Sequence, residues 1–430
     1  MKATFAPARR AAGTVAVPGD KSLSHRALLF GALASGSSEV RGLATNEDVG
    51  HHRAMLEVLG ARMEVLDGSL HIQGCGVGGL AGSDVRLDAG NSGTAARLVL
   101  GAIAGSNASG VLDGDESLRE RPMARVVEPL RRFGARLESG EGGRLPVRFA
   151  PAARLVGTTF TLELPSAQVR TALLLAGLAA EGETVVSSPP GYRDHTERML
   201  AALGADVRRD GDTVRVSQSS LSPFTFHVPG DLSSASFLLG AAALGGAVTA
   251  TNVTLNPSRT GFLDALELMG AAVRREVLRE ELDEPTGDVH VHATGRLRGA
   301  EIGGELAQRA LDELPLLGVL AAAAEGTTVV RDAPDLRAKE SDRIAATVAA
   351  VRGLGGSADE RPDGFVVHGG ELAGGHVGAN RDHRIAMAAA VASFAATGPI
   401  TIDGFEWVAT SYPEFTAHVA AIGGRVERLA

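Results

Sequence analysis

The chain has 430 residues, of which 44% are hydrophobic and 4% aromatic, and its formal net charge is −9. This length and hydrophobic content are enough for two or three domains with a large core. The 42 Lys and Arg residues are outnumbered by 51 Asp and Glu residues and form no long basic run, which argues against non-specific binding to nucleic acid. A small anionic ligand remains compatible with this charge, because local arginines decide its binding.

The single cysteine, Cys75, argues against a disulfide framework and a Cys-rich metal site, and it fits a reducing cytosol. No apolar segment typical of a secretory signal peptide opens the chain. Apolar runs such as 316–324 are too short to cross a bilayer and predict buried helices instead. We therefore expect a cytoplasmic protein that contacts no membrane.

The same succession of elements recurs six times along the chain. An Ala-rich apolar helix feeds a β-branched strand, and a second helix then ends in a small-residue turn before further strands. The apolar runs are 27–34, 95–104, 173–180, 237–244, 316–324 and 385–396. The second helices end at Gly60, Gly134, Gly204, Gly270, Gly355 and Gly423, where the glycine supplies a left-handed cap. A period of about 70 residues is too long for a solenoid, so we expect six small α/β subunits in two domains of three.

Polar residues collect where these helices begin. The Ala-rich helices open with Lys21-Ser22 and Arg26, Asn91-Ser92-Gly93-Thr94, Ser166-Ala167-Gln168, Asp231 to Ser234, Asp312-Glu313 and Asp382-His383-Arg384. The second helices open with the polar sets 46–48, 119–122, 193–195, 256–259, 339–343 and 410–412. Helix N-termini favour anions. Two such domains facing each other would form a cleft for polyanionic ligands, with the active site between them.

A structural alternative exists for several of these residues. Asp231, Ser233 and Asn256 have the composition of ordinary N-caps. Arg97 and Arg170 lie one turn into apolar helices and would need only neighbouring carboxylates as partners. The turn at Asn91 to Thr94 is compatible with either a plain turn or a backbone anion nest.

Two matching breaks, Pro18-Gly19-Asp20 and Pro229-Gly230-Asp231, suggest a pair of domain crossovers near 18–20 and 229–231. One domain is then continuous, over residues 20–229. The other joins residues 1–19 to residues 230–430. Each holds three of the six repeats.

Seven of the polar motifs together resemble the 5-enolpyruvylshikimate-3-phosphate synthases, in order and over essentially the whole chain. They are Asp20-Lys21-Ser22-Leu23-Ser24-His25-Arg26, Gly90-Asn91-Ser92-Gly93-Thr94, Arg119-Glu120-Arg121-Pro122-Met123, Ser166-Ala167-Gln168, Asp312-Glu313-Leu314-Pro315, Lys339-Glu340-Ser341-Asp342-Arg343 and Asp382-His383-Arg384. The resemblance implies the α/β enolpyruvyltransferase fold: two domains, each of three βαβαββ repeats related by pseudo-threefold symmetry.

The resemblance also implies a reaction. The family transfers the enolpyruvyl group of phosphoenolpyruvate to the 5-hydroxyl of shikimate 3-phosphate by addition and elimination, and releases phosphate. This is a step of the shikimate pathway to chorismate and the aromatic amino acids. No metal or organic cofactor is needed. We expect a monomer that binds only these small molecules.

Residue by residue, the resemblance gives each matched position a role. Asp312 is similar to the base on the 5-hydroxyl, and Glu340 and Lys21 are similar to the pair that handles the proton at the methylene carbon. The implied shikimate 3-phosphate contacts are Lys21, Ser22, Arg26, Ser166, Ala167, Gln168, Arg193, Asp312 and Lys339. The implied phosphoenolpyruvate contacts are Lys21, Asn91, Gly93, Thr94, Arg121, Gln168, Glu340, Arg343, His383 and Arg384. Asp48 and His383 are expected to orient arginines and carboxylates. Glyphosate, a phosphoenolpyruvate-competitive inhibitor of the family, is expected to bind because Gly93 leaves room that an alanine would fill.

Three positions depart from the family pattern. Ala167 replaces a serine found in some members, Tyr192 stands where a serine is common, and Thr410 stands where some members have a lysine. The first departure removes or moves one hydroxyl contact to the shikimate phosphate. The second leaves Arg193 as the candidate phosphate contact in its segment. The third removes a cation near phosphoenolpyruvate.

Rival interpretations fit the sequence less well. UDP-N-acetylglucosamine enolpyruvyltransferases share the implied fold, but they use a cysteine on a loop, and an asparagine follows their lysine. In this chain Ser22 follows Lys21, and Cys75 lies outside every matched motif. A non-catalytic repeat scaffold or ring-shaped clamp does not explain charged residues at the repeat starts. An RNA-phosphate cyclase needs a nucleotide site and a nucleophilic histidine, and no motif matches them.

Overall fold

The computed structural model describes residues 1–163 and 166–429. Its strands are β1 (Lys2–Ala6), β2 (Ala11–Ala16), β3 (Ser37–Arg41), β4 (Arg62–Leu66), β5 (Ser69–Gln73), β6 (Ala81–Asp88), β7 (Asn107–Asp113), β8 (Arg136–Ser139), β9 (Val147–Ala150), β10 (Thr159–Thr161), β11 (Glu183–Ser187), β12 (Val207–Asp210), β13 (Thr213–Ser217), β14 (Thr225–His227), β15 (Gly246–Thr254), β16 (Ala272–Glu281), β17 (Glu284–His292), β18 (Glu301–Ile302), β19 (Thr327–Val330), β20 (Ser357–Arg361), β21 (Gly364–His368), β22 (Gly375–Gly378), β23 (Ile400–Asp403) and β24 (Arg425–Leu429).

The α-helices are α1 (Lys21–Leu33), α2 (Glu47–Val58), α3 (Gly93–Ile103), α4 (Glu116–Glu120), α5 (Ala124–Arg132), α6 (Ala167–Ala179), α7 (His195–Ala202), α8 (Leu232–Leu244), α9 (Gly261–Leu268), α10 (Gly304–Arg309), α11 (Leu314–Ala322), α12 (Arg343–Gly353), α13 (His383–Val391) and α14 (Phe415–Ala421). Short 3-10 helices span Glu141–Gly143, Pro257–Arg259, Pro334–Ala338, Ala392–Phe394 and Phe405–Thr410. No helix in the described ranges is long and apolar enough to span a membrane.

The described strands form six four-stranded sheets of one design. Their strand orders are β14-β3-β5-β4, β6-β7-β9-β8, β10-β11-β13-β12, β2-β15-β17-β16, β18-β19-β21-β20 and β22-β23-β1-β24. In each order the first two strands are parallel and the second and third antiparallel. The six predicted Ala-rich runs lie in α1, α3, α6, α8, α11 and α13, and five lead directly into the second strand of a sheet. The α/β fold class expected from the repeats is thereby confirmed.

The chain divides into two compact units. The unit that we call terminal contains Met1–Asp20, Pro229–Glu280 and the chain from Pro285 onward. The unit that we call central contains Lys21–Val228 and Glu281–Glu284. Each unit contains three of the sheets and has its own hydrophobic core.

These units differ from the expected boundaries in three places: at Asp20, at Pro229 and at the segment Glu281–Glu284. Asp20 belongs to the terminal unit, because its backbone N–H donates to the carbonyl of Pro229 at 2.7 Å. The segment Glu281–Glu284 belongs to the central unit, because Glu284 is wholly buried against the imidazole of His195, with Oε1 2.8 Å from Nδ1. Within the terminal unit the two Pro-Gly-Asp breaks are hydrogen-bonded to each other, since Asp231 N–H also donates to the carbonyl of Pro18 at 2.8 Å.

The six glycines expected to end the second helices share one backbone conformation. They follow the C-caps of α2, α5, α7, α9, α12 and α14, and their φ values lie between 85° and 104°. An L-residue in the left-handed region is strained by about 1–2 kcal/mol, whereas glycine adopts it freely. The prediction of six left-handed helix ends is confirmed.

Candidate active site

In the central unit, helix α1 begins at Lys21 itself, directly after the Pro-Gly-Asp break. The ammonium of Lys21 forms a salt bridge with the carboxylate of Asp48, which lies in the first turn of α2. Asn46 caps α2 by accepting a hydrogen bond from Val49 N–H at 3.1 Å. Two neighbouring helix starts thus place a lysine and its carboxylate partner together.

Arg26 lies one turn further along α1 and is 97% buried, with 3% of its surface exposed. Its Nε donates to the hydroxyl of Thr196 at 2.9 Å, and Nη2 donates to the hydroxyl of Thr171 at 3.2 Å. Nη1 donates to the carbonyl of Ser22 at 3.0 Å. The described hydrogen-bond partners of this buried guanidinium are therefore neutral oxygens.

Helices α3 and α6 pack together and join their first turns through a polar network. Ser92 and Ser166 are their N-caps and accept from Ala95 N–H at 3.2 Å and Val169 N–H at 3.4 Å. Arg97 Nη1 donates to Gln168 Oε1 at 2.6 Å, and Gln168 Nε2 donates to Thr94 Oγ1 at 2.9 Å. The described hydrogen bonds of Arg97 go to amide and backbone oxygens and not to a carboxylate.

Arg121 lies between two helices, where the matched motif had suggested the opening of one. Its φ and ψ are −81° and 140°, because the residue before a proline is disfavoured in the helical region. Helix α4 therefore ends at Glu120, and α5 begins only at Ala124. The guanidinium donates to Asn91 Oδ1 at 2.8 Å and to Ser117 Oγ at 3.3 Å, so Arg121 and Asn91 share one site.

Gly93 is the first residue of α3, and its surroundings explain the absence of a side chain. A Cβ at this position would lie 2.8 Å from Arg97 Nη1 and 3.4 Å from Arg121 Nη1. The first distance is below ordinary van der Waals contact, so the guanidinium of Arg97 would have to move. Gly93 therefore makes room for the guanidinium groups of two arginines.

The segment that precedes α7 contains Tyr192 and Arg193. The ring of Tyr192 lies under the buried guanidinium of Arg170, 3.8 Å from ring centre to Cζ, and its hydroxyl accepts from Nη2 at 2.8 Å. Arg170 also donates to Glu197 Oε1 at 2.6 Å, as the carboxylate-partner alternative expects. Tyr192 thus belongs to the Arg170 network, and the role of Arg193 as the phosphate contact of this segment stays a prediction.

In the terminal unit, Asp312 lies just before α11 and collects three cations. Its carboxylate is 3.2 Å from Arg343 Nη1, 3.8 Å from Lys339 Nζ and 3.7 Å from Arg384 Nη2. Arg384 Nη1 also donates to the backbone carbonyl of Asp312 at 3.0 Å. Asp312 and its three cationic partners, which come from three segments of the chain, are all predicted site residues, and the structure brings them together.

Arg343 is the first residue of α12 and is almost completely buried. Besides Asp312, it binds Glu340 Oε2 at 2.6 Å and Asp382 Oδ2 at 2.8 Å. Burial alone would lower the pKa of Arg343, but the three carboxylates raise it above its ordinary value. The guanidinium therefore serves as the centre of a carboxylate cluster.

The residue next to Asp382 is His383, which opens α13 and is buried. Burial lowers the pKa of His383 to about 4, against the opposing attraction of Asp382 and Glu340. The imidazole is therefore neutral near pH 7 and contributes no charge to the binding of an anion.

Several residues of this cluster have no counterpart among the predicted site residues. Glu313 Oε1 accepts from Arg384 Nη1 at 3.2 Å and from Ser233 Oγ at 2.5 Å. Arg259 in turn donates to Ser233 Oγ at 2.7 Å and lies 3.5 Å from Asp20. Asp231 and Asn256 are N-caps, as the structural alternative expects, whereas Ser233 links Arg259 to Glu313.

Within residues 1–163 and 166–429, no group of three or more His, Cys, Asp or Glu side chains is arranged to hold a metal ion. Thr410, where some relatives have a lysine, donates its hydroxyl to the carbonyl of Trp407 at 2.7 Å. The charge available for anions therefore comes from the lysine and arginine groups described above.

Cationic groups at the helix starts of this repeat-built α/β fold are typical of a protein that binds small anions. The family model of EPSP synthase (3-phosphoshikimate 1-carboxyvinyltransferase) matches residues 6–419. Proteins named 3-phosphoshikimate 1-carboxyvinyltransferase from Herpetosiphon aurantiacus and Gloeobacter violaceus are 45% and 46% identical, over 98% and 97% of this chain and 99% and 98% of theirs. A solved structure of EPSP synthase from Acinetobacter baumannii superposes with a TM-score of 0.89 at 38% identity, over 99% of this chain and 100% of that one.

The chain therefore belongs to the EPSP synthase family. Its activity is that of a 3-phosphoshikimate 1-carboxyvinyltransferase in the shikimate pathway of aromatic amino acid biosynthesis. The family and the activity expected from the sequence are confirmed.

Proposed function

We propose that the residues of both units act together on one pair of substrates, phosphoenolpyruvate and shikimate 3-phosphate. In the terminal unit, the observation that supports this proposal is the convergence of Lys339, Arg343 and Arg384 on the carboxylate of Asp312. In the central unit, it is the hydrogen bond between Arg121 and Asn91, which are both predicted phosphoenolpyruvate contacts. Phosphoenolpyruvate and shikimate 3-phosphate are both anions, so fixed cations must offset their mutual repulsion. A carboxylate held among such cations is placed to meet a substrate hydroxyl.

In the first half of the reaction, Asp312 takes the proton of the 5-hydroxyl group of shikimate 3-phosphate. The oxygen of that hydroxyl group forms a bond to C2 of phosphoenolpyruvate. A proton is added at the same time to the methylene carbon, C3. In the second half, a proton leaves C3 and the bond between C2 and the phosphate oxygen breaks, which releases phosphate and leaves the enolpyruvyl ether. Glu340 and Lys21 handle the proton at C3.

The remaining residues bind and orient the substrates. For phosphoenolpyruvate these are Lys21, Asn91, Gly93, Thr94, Arg121, Gln168, Glu340, Arg343, His383 and Arg384. For shikimate 3-phosphate they are Lys21, Ser22, Arg26, Ser166, Ala167, Gln168, Arg193, Asp312 and Lys339. The support is local: the described partners of the Arg121 guanidinium are neutral oxygens, so its positive charge is available to a substrate oxyanion.

We also propose that the protein is a cytoplasmic monomer without nucleic-acid partners. The single cysteine fits a reducing compartment, and the net charge of −9 opposes association with nucleic acid. Size-exclusion chromatography with light scattering measures the oligomeric state directly, and a mass of twice 44.1 kDa would contradict a monomer.

Phosphate release from phosphoenolpyruvate tests the substrate assignment. We expect release only when shikimate 3-phosphate is present. Release that depends on UDP-N-acetylglucosamine instead would overturn it.

Replacement of Asp312 by asparagine tests the base. The change keeps the shape of the side chain but removes its ability to take a proton, so kcat should fall by about 10²–10⁴-fold. Asp359→Asn, at an exposed aspartate of β20, serves as the matched control and should leave kcat unchanged. An Asp312→Asn variant with wild-type kcat would remove Asp312 from the role.

A further inference from the structure

Two polar pairs join helices α1 and α2 in the central unit. The first is the salt bridge between Lys21 and Asp48, and the second is a contact of 2.9 Å between His25 Nδ1 and His52 Nδ1. His25 follows Lys21 by four residues, and His52 follows Asp48 by four residues. Residues four apart lie on the same face of a helix, about 6 Å along its axis. The histidine pair is therefore the next contact between the same two helix faces, one turn further in.

Both imidazoles are wholly buried, with none of their surface exposed. Burial lowers the pKa of His25 well below its ordinary value, helped by His52, Lys21 and Arg26, and burial lowers the pKa of His52 to about 3. Both rings are neutral near pH 7. A neutral imidazole has one N–H and one lone pair, so one Nδ1 donates to the other and the two rings hold opposite tautomers.

If the two histidines served only to pack the helices together, they would stabilise the protein less than apolar side chains would. In the described part of the chain, Nε2 of His25 and Nε2 of His52 are both buried without a hydrogen-bond partner. An unsatisfied buried polar atom destabilises a protein, and two apolar side chains of similar size would avoid that cost. What apolar side chains would not supply is a directional bond, which fixes both the distance and the rotation between the two helices.

We propose that His25 and His52 are positioning residues for Lys21: their hydrogen bond holds α1 and α2 in the register that places the Lys21 ammonium on Asp48. The position of the Lys21 ammonium is then fixed before the substrates bind. This inference rests on the proposed role of Lys21 in the reaction. It assigns no contact with substrate to either histidine.

Four single variants separate the hydrogen bond from the volume of the ring. His25→Leu and His52→Leu remove the bond and keep an apolar side chain, and kcat/KM should fall by about 10-fold, the upper range for one hydrogen bond. His25→Asn and His52→Asn place an amide near the position of Nδ1 and should restore most of the activity. His290→Leu is the matched control, because His290 Nδ1 also pairs with a side chain, Thr249, but in a sheet of the terminal unit. It should leave kcat/KM unchanged.

The decisive measurement repeats His25→Leu in a Lys21→Met background. If the histidine pair acts through Lys21, the substitution should cost about 10-fold in the wild-type background and nothing further when Lys21 is absent. An equal loss in both backgrounds would show a merely structural role and overturn this inference alone. A Lys21→Met variant with wild-type activity would overturn both this inference and the proposed role of Lys21.

Nitrogen NMR of the unaltered protein tests the same bond without relying on variants that fold. With histidine labelled by ¹⁵N, one buried ring should be in the Nδ1–H tautomer and the other in the Nε2–H tautomer, with a coupling between the two Nδ1 atoms. Two Nε2–H tautomers and no coupling would overturn the inference.

Discussion

Arg121 of the central unit and Arg343 of the terminal unit are both proposed to bind phosphoenolpyruvate, yet their surroundings are opposite. The described partners of the Arg121 side chain are neutral, an amide oxygen of Asn91 and the hydroxyl of Ser117. Arg343 is nearly inaccessible and binds three carboxylates. An arginine held by neutral oxygens keeps its charge for an incoming anion, whereas one among carboxylates mainly holds those carboxylates. We therefore expect the two arginines to contribute differently: Arg121 through its charge toward the substrate, and Arg343 also by holding Asp312 and Glu340 in place.

The largest expected effect is on the stability of the Arg343 cluster. Asp382→Ala breaks the buried ion pair between Asp382 and Arg343 and leaves the guanidinium with two of its three carboxylates, so the free energy of unfolding should fall by about 3–5 kcal/mol. Asp115→Ala is the control in the central unit, because Asp115 is the N-cap of α4, as Asp382 is of α13, and accepts a hydrogen bond from Asn91 Nδ2 at 2.7 Å. It should cost only about 1 kcal/mol. Urea denaturation measures both, and equal losses would contradict the contrast.

A second effect in the terminal unit depends on pH. Burial and the neighbouring Asp20 raise the pKa of Asp231 to about 7, against the attraction of Arg259 and Arg384. Because the folded-state pKa lies above the unfolded value, the contribution of Asp231 to stability is present below pH about 4 and is lost as the pH rises through about 7.

Asp231→Asn keeps the cap geometry and removes the ionisation. Stability measured by urea denaturation between pH 5 and pH 8 should therefore decline less in the variant than in the wild type. Asp206→Asn, at an exposed aspartate that pairs with Arg208, is the control and should follow the wild-type curve. Parallel curves for Asp231→Asn and the wild type would refute the assignment.

Arg121→Met tests the other side of the comparison. Loss of a charge-assisted hydrogen bond costs about 1.5–3 kcal/mol, so the KM for phosphoenolpyruvate should rise by about 10–150-fold while the free energy of unfolding stays within 0.5 kcal/mol or so of the wild type. Steady-state kinetics and urea denaturation of the same preparation give both numbers. A large loss of stability would contradict the contrast, because it would show that Arg121 stabilises the fold as Arg343 does.

The smallest expected effect concerns Gly93. An added methyl group would press on the guanidinium of Arg97, and overpacking of this kind costs about 1–3 kcal/mol. Gly93→Ala should therefore weaken glyphosate inhibition by about 10-fold, with a smaller rise in the KM for phosphoenolpyruvate. Inhibition constants measured against phosphoenolpyruvate decide the matter. Unchanged inhibition by glyphosate would show that the steric argument is wrong.

The sequence predicted the features that depend on neighbouring residues. The six glycines at the helix ends and the start of α1 at Lys21 follow from turn and capping preferences, and the structure has them where expected. Proline chemistry would also have placed Arg121 outside a helix, because Pro122 follows it. Local rules were therefore sufficient for the ends of helices.

Contacts between segments that are far apart in the chain could not be predicted from the sequence. Nothing near Glu313 indicates that its carboxylate binds Ser233 and Arg384, which are 80 and 71 residues away. The same holds for His25 and His52, and for Arg97, whose partner Gln168 is 71 residues away. Spacing along one helix shows which face a residue occupies, but only the packing of two helices decides which side chain it meets.

The left-handed glycines and the polar helix starts lie at opposite ends of the same kind of helix. At one end the six repeats use one residue type in one conformation, and at the other end the six starts differ in almost every residue. Within each repeat, the residue that shapes the turn and the residues that determine the chemistry therefore lie at different positions. Substitutions at the helix starts can therefore change the chemistry of a repeat without altering the glycine turns that shape it.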